Sequence, residues 1–220
     1  VYGTNPKEQI TNTFFFFFSI LQQLLGNRLD PLTDMANNGK IKRKKATINT
    51  NLSLQVTKKV EEVEVSNVLG FIEGTDKKDE VIVLTAHYDH LGEEHGEVYY
   101  GADDDGSGTA ALIELAEAFA QAKAAGMAPS RSILIMPVAG EEKGLLGSRY
   151  FTDVEPLVPL KDIVTDLNID MIGRIDDQHK DGNYIYIIGD DKLSSELHNI
   201  SEAANNAYTK LELDYRYNVE

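Results

Sequence analysis

Three short apolar runs set the limits on what this chain can fold into. They are Val81 to Leu84 (VIVL), Ser132 to Val138 (SILIMPV) and Ile163 to Ile169 (IVTDLNI). Each is short and rich in β-branched residues, so each reads as a buried strand. Between the first two, Ser107 to about Ala125 carries Leu112, Leu115, Ala116 and Phe119 at helical spacing, with Ile113 and Ala120 beside them. Ser107 is the expected cap of that helix, and Gly126 and Pro129 end it. A second, short helix is expected through Arg149, Tyr150 and Phe151. Strands alternating with helices imply an α/β fold with a mixed, mostly parallel sheet flanked by helices. Further strands are expected at Val68–Gly74 and Tyr184–Ile188. A helix is expected from Leu193 to about Tyr208, and an extended segment from Leu211. Thr75 to Asp79 reads as a polar turn.

Each of the three runs stops beside a side chain that can hold a metal. The first ends in His87-x-Asp89, the second in Glu141-Glu142 and the third in Asp170. After the first comes Gly101-Ala102-Asp103-Asp104-Asp105-Gly106-Ser107-Gly108, whose adjacent carboxylates repel one another unless a cation neutralises them. In open α/β sheets ligands bind beyond the carboxyl ends of the strands, and parallel strands bring those ends together. Imidazole and carboxylate without thiolate suit a catalytic zinc or a two-metal site. Two metals about 3.5–4 Å apart need a bridging group, and an Asp in a glycine-flanked turn can bridge. The pair Glu141-Glu142 supplies one group to ligate and one to accept a proton.

Composition removes several alternatives. The formal charge of −15 argues against nucleic-acid binding, which needs a basic face. The chain has no cysteine, which excludes disulfides and thiolate metal sites. No apolar stretch is long enough to span a bilayer. The Asp cluster fails the EF-hand pattern at Gly101 and Leu112, and Ser107 lacks the glycines of a nucleophile elbow. His90 to His95 (HLGEEH) is one residue too long for the inverted zinc motif and reads as a solvated turn. Tyr99 and Tyr100 read as packing residues. Upstream, the phenylalanine run Phe14–Phe18 is expected to be a strand leading into a short helix that stops at Gly26. Asn38-Gly39-Lys40 reads as a turn and Ile41 to Ala46 as a basic, solvated linker. The alternation of Ile48, Leu52, Leu54, Val56, Val60, Val63 and Val65 predicts a half-buried hairpin.

His87-x-Asp89, GADDDGSG, GEEKGLLGS and NIDMIGR follow one another between Ser66 and Arg174. Together they resemble the co-catalytic di-zinc aminopeptidases, the group that includes bacterial leucyl aminopeptidase, aminopeptidase Y and glutamate carboxypeptidase II. The resemblance implies the zinc-exopeptidase fold and a peptide substrate cut at its amino terminus. It implies that His87 and Asp170 hold one zinc, that Asp104 bridges and that Glu142 holds the second. Glu141 would be the general base, and Asp89 would accept a hydrogen bond from the His87 ring and orient it. A cis peptide is implied at Asp104-Asp105. The family completes its second zinc site with a His far downstream, and neither His179 nor His198 matches it. The 220 residues are therefore expected to end before that ligand and to bind one metal tightly and the second weakly, with two zinc ions in the full-length protein. Residues 1 to about 45 are expected to be the end of an inserted protease-associated domain plus a linker, with the peptidase domain over 46–220. The resemblance also implies a secreted or periplasmic protein. Two other readings stay open: a glutaminyl-cyclase-like acyl transferase on the same fold, and a catalytically silent metal-holding domain.

Overall fold

A computed structural model describes residues 18–40, 57 and 62–218. The chain divides into two units, Val1–Glu61 and Glu62–Glu220. In the first unit, α1 (Phe18–Leu25) passes through a 3₁₀ turn (Gly26–Arg28) into α2 (Leu29–Asn37). Gly26 ends α1 as expected, with the positive φ of +52° that glycine tolerates. Asn38–Gly39 form the expected turn. Residues 14–17, the basic linker and nearly all of the expected hairpin lie outside the described residues. Of that hairpin, Val63 and Val65 are described, and both are exposed and outside any strand.

The second unit is built on a four-stranded sheet in the order β1-β5-β2-β6. Its strands are β1 (Gly70–Ile72), β2 (Lys77–His87), β5 (Arg131–Val138) and β6 (Ile163–Asn168). Strand β2 is parallel to β5 and to β6, and β1 is antiparallel to β5. This is the mixed, mostly parallel sheet expected from the alternating pattern. The polar stretch from Lys77 to Asp79 is not a turn but the exposed start of β2, joined to the buried part through a register shift against β5. Backbone pairing there needs no apolar side chain, so hydrophobicity does not mark it.

Two-residue alternation sorts the core onto both faces of the sheet. Val81, Val83, Leu134, Met136 and Val138 pack with Phe151 of helix α4 (Leu146–Asp153). Leu84, Ala86, Ile133 and Ile135 pack on the opposite face with Leu112 of helix α3 (Gly106–Ala124), supported by Leu115, Ala116 and Phe119. The expected apolar stripe of α3 is thus the one it buries, while Ile113 beside it is 62% exposed. Between β2 and α3 lies a small exposed hairpin, β3 (Gly92–Glu94) and β4 (Glu97–Tyr99). Tyr99 and Tyr100 are exposed there rather than packed. The strand expected at Tyr184 forms β7 (Tyr184–Tyr186), which pairs in parallel with β8 (Glu212–Asp214) in a separate sheet. Helix α5 (Ser195–Ala204), capped by the Ser194 hydroxyl, runs into a π turn at Asn205–Thr209.

Candidate metal centre

The carboxyl ends of β2, β5 and β6 lie side by side, and their polar residues meet around the His87 ring. His87 closes β2 and is 3% exposed. Its Nε2 lies 3.0 Å from Asp104 Oδ1, 3.9 Å from Asp170 Oδ2 and 4.0 Å from Glu141 Oε2. Three chain segments far apart in sequence therefore supply carboxylates to one imidazole nitrogen. Burial pushes the His87 pKa down, but the bond to Asp89 and the charges of Asp170, Asp105 and Glu141 outweigh it, leaving the ring more basic than usual. Asp170 is pushed up, chiefly by burial and then by the neighbouring Asp105 charge, against the opposing pull of His87. A carboxylate crowded in this way is stabilised by any cation that enters among these groups.

The three aspartates of the glycine-flanked turn do three different things. Asp105 is 1% exposed. It accepts hydrogen bonds from the backbone N–H of Gly108 (2.9 Å), His87 (3.1 Å) and Met171 (3.3 Å). It caps α3 and ties that helix to the ends of β2 and β6, the capping role expected of Ser107. Gly108 is needed for this approach, because a Cβ there would sit 2.3 Å from the Ile169 carbonyl oxygen. Asp103 accepts from the Gly173 N–H at 2.7 Å and from the Ser107 hydroxyl at 3.3 Å. Ser107 in turn receives the Ile172 N–H at 3.0 Å, so both residues anchor the loop that follows Asp170. Asp104 turns its carboxylate to the His87 Nε2, Asp105 keeps a carboxylate oxygen within 4.8 Å of ligand atoms on His87 and Asp170, and the Asp104–Asp105 peptide is cis, as the resemblance implies.

Asp89 acts on two partners through two different groups. The His87 Nδ1–H donates to the Asp89 backbone carbonyl at 2.9 Å, while the Asp89 carboxylate stays 3.9 Å from that nitrogen. The carboxylate instead accepts the Glu141 backbone N–H at 3.2 Å. The expected side-chain bond to the ring is therefore corrected: the main chain orients His87, and the side chain of Asp89 holds the turn that carries Glu141. That turn is no helix start. The Glu141 carbonyl accepts from Gly144 and Leu145, and α4 begins only at Leu146. Asn67 braces it from the far side, donating to the Gly147 carbonyl at 2.8 Å and accepting from the Ala139 N–H at 3.2 Å.

A second cluster adjoins the first. Glu142 Oε1 lies 2.8 Å from His90 Nδ1, and that nitrogen lies 4.0 Å from Asp104 Oδ1. His87, Asp104, Glu141, Glu142 and Asp170 are thus brought together as the sequence led one to expect. His90 is the residue that the motif reading missed, having been assigned to a solvated turn. The only signal in the sequence was a second histidine three residues beyond His87. His179 and His198 are engaged elsewhere. His179 lies between Asp176 (2.9 Å) and Asp214 (3.2 Å) and stacks on Tyr184. The Tyr186 hydroxyl, aided by His179, holds the Asp176 carboxyl well below the usual range. His198 pairs with Asp190 at 3.0 Å.

Comparison with known proteins agrees with this geometry. The family model described as peptidase family M28 matches residues 67–219. The chain belongs to peptidase family M28. Among curated relatives, a probable zinc metalloprotease of Leptosphaeria maculans is 35% identical over 118 residues, covering 50% of this chain and 25% of that protein. A glutamate carboxypeptidase 2 homolog of Caenorhabditis briggsae is 33% identical over 142 residues, covering 64% of this chain and 17% of that protein. The chain thus spans a quarter or less of the length of these relatives. Among solved structures, a zinc aminopeptidase from Bacillus subtilis superposes with a TM-score of 0.51 at 26% identity, covering 67% of this chain and 33% of that one.

Proposed function

We propose that this chain carries the catalytic centre of a zinc-dependent aminopeptidase that hydrolyses the amino-terminal residue of peptides. The observation that carries this reading is the convergence of Asp104, Glu141 and Asp170 within 4.0 Å of one His87 nitrogen. The residues present fit metal. His90 Nδ1 and Glu142 Oε1 are buried with no hydrogen-bond partner, a costly state unless a cation engages them. His87, Asp170 and Asp104 would hold one zinc, and Glu142 with bridging Asp104 would hold the other. Zinc bound there supplies positive charge that polarises the scissile carbonyl and acidifies water.

The chain's own groups then account for the proton. Glu141 reaches into the site from a turn fixed by Asp89 and Asn67, and at 34% exposed its carboxylate is open to substrate and water. It accepts a proton from the attacking water as the new C–O bond forms. It returns that proton to the amine as the C–N bond breaks, so the balance closes within one residue. His87 is kept in a single orientation by the Asp89 carbonyl, with Nε2 turned to the site. Two adjoining clusters favour this reading over a single-zinc acyl transferase. A free Glu141 beside them favours it over a silent metal-holding domain. Family membership also supports export to a secreted or periplasmic location, which cell fractionation tests.

Release of amino acids from chromogenic amino-acid amides should be abolished by chelation and restored by zinc. Glu141→Gln should retain metal while losing about 10²–10⁴-fold in rate, the usual worth of general acid–base catalysis. Unchanged activity in that variant removes Glu141 from the mechanism.

A further inference from the structure

The hairpin of β3 and β4 rises from the metal centre without an assigned part. Its two ends are pinched together there. Gly101 has φ +63°, and a Cβ on it would fall 2.7 Å from His90 Cβ and 3.0 Å from the Asp104 carbonyl oxygen. Tyr99 stands two residues before that pinch, about 7 Å of extended chain. The register pairs Gly92 with Tyr99, Glu93 with Val98 and Glu94 with Glu97. Side chains alternate between faces, so Tyr99, Glu94 and Glu97 share one face, and Val98 and Tyr100 take the other. Lys143 Nζ lies 3.6 Å from Glu94 Oε1, so the first face looks toward the turn that carries Glu141 and Glu142. An exposed ion pair of this kind holds little energy, but it marks which face is the inner one. Exposure agrees, at 40% for Tyr99 against 87% for Tyr100. Gly92, paired with Tyr99, has no side chain to cover the phenol ring.

We propose that Tyr99 is a specificity-determining residue whose ring packs against the side chain of the substrate's second residue. This rests on the zinc-aminopeptidase reading above. In that reaction Glu141 returns its proton to the leaving amine, and that amine is the nitrogen of the second residue. The second residue therefore sits on the Glu141 side of the metal centre, the side that the Tyr99 face overlooks. A ring beside a bare glycine accepts flat or large apolar side chains, and aromatic pairs gain beyond the area they bury. Glu94 and Glu97 on the same face repel an acidic side chain. The favoured substrate is a peptide whose second residue is aromatic or large and apolar.

Initial release of the first amino acid by the zinc-loaded full-length protein is compared on four dipeptide amides. Leu-Phe-amide, Leu-Ala-amide and Leu-Glu-amide differ only in the second residue, and Phe-Ala-amide differs from Leu-Ala-amide only in the first. The kcat/KM should favour Leu-Phe-amide over Leu-Ala-amide by about 10-fold, the low end of what one apolar group contributes to selection. Leu-Glu-amide should be the poorest of the three. Tyr99→Ala should erase the second-residue preference and leave the ratio of Phe-Ala-amide to Leu-Ala-amide unchanged, a split that general damage to the site would not produce. Tyr99→Phe should keep both ratios, as should Tyr100→Ala on the outward face. The proposal is overturned if the unaltered protein shows no preference at the second residue, if the preference survives in Tyr99→Ala, or if that variant alters the first-residue ratio instead. Should Tyr99→Ala fail to fold, Tyr99→Gln is read in the same way. Failure of the unaltered protein to hydrolyse any of the four would sink the zinc-peptidase reading, and this proposal with it.

Discussion

Replacing Asp105 by alanine should damage the fold more than the chemistry. The carboxylate serves the N–H groups of His87, Gly108 and Met171 at 3.1, 2.9 and 3.3 Å, in a position 1% exposed. A buried donor left without an acceptor costs about 1–3 kcal/mol, and the loss of a helix cap about 0.5–2 kcal/mol. Part of this is returned, because burial already pushes the Asp105 carboxyl up and alanine needs no charge buried. A net loss of about 3–4 kcal/mol is expected, a large share of the roughly 5–15 kcal/mol that stabilises a domain. Asp105→Asn keeps one acceptor oxygen and should lose about half as much. Urea unfolding of the metal-free chain, read as a shift in midpoint at constant slope, measures both. A loss below about 1 kcal/mol for Asp105→Ala, or a fully stable variant that has lost a zinc ion, would show that Asp105 is a metal ligand and not a cap.

Zinc affinity should weaken as pH falls, because His87 must shed its proton to bind. With its pKa raised, the weakening should set in above the 6.5 of an ordinary imidazole and deepen below it, as pH-dependent zinc titration will show. Protonated His87 keeps its attraction to the surrounding carboxylates, so in the metal-free chain this contribution to stability is fully present below the ordinary 6.5 and is lost as pH rises through the raised folded-state pKa. Asp89→Ala leaves the carbonyl that orients His87 but frees the Glu141 turn. Zinc content should persist while kcat/KM falls by about 10–100-fold, and an unchanged rate would show that the Asp89 carboxylate has no positioning role. Gly108→Ala forces a Cβ to within 2.3 Å of the Ile169 oxygen, and thermal unfolding should report a loss of about 1–3 kcal/mol or more.

The amino-acid sequence by itself determined the sheet and the convergence of its strand ends. Runs such as Val81–Leu84 and Ile133–Met136 can satisfy their backbones and bury their side chains only as neighbouring strands. The helix between them then makes the pairing parallel, which places His87, Glu141 and Asp170 at one edge. Periodicity carries that information because it repeats over many residues. The division of labour among Asp103, Asp104 and Asp105 was decided only by tertiary structure. Three identical side chains in a row differ solely in which N–H groups their backbone brings near, and those belong to residues up to 70 positions away. The same holds for Asp89, whose carbonyl and carboxylate serve different partners. His90 is the clearest case. A histidine before a Gly-rich turn has the composition of a solvated loop, and only the close approach of Gly101 and the arrival of Glu142 from another strand end turn it inward. Contacts between distant segments are set by how the packed elements meet, and no local pattern encodes that.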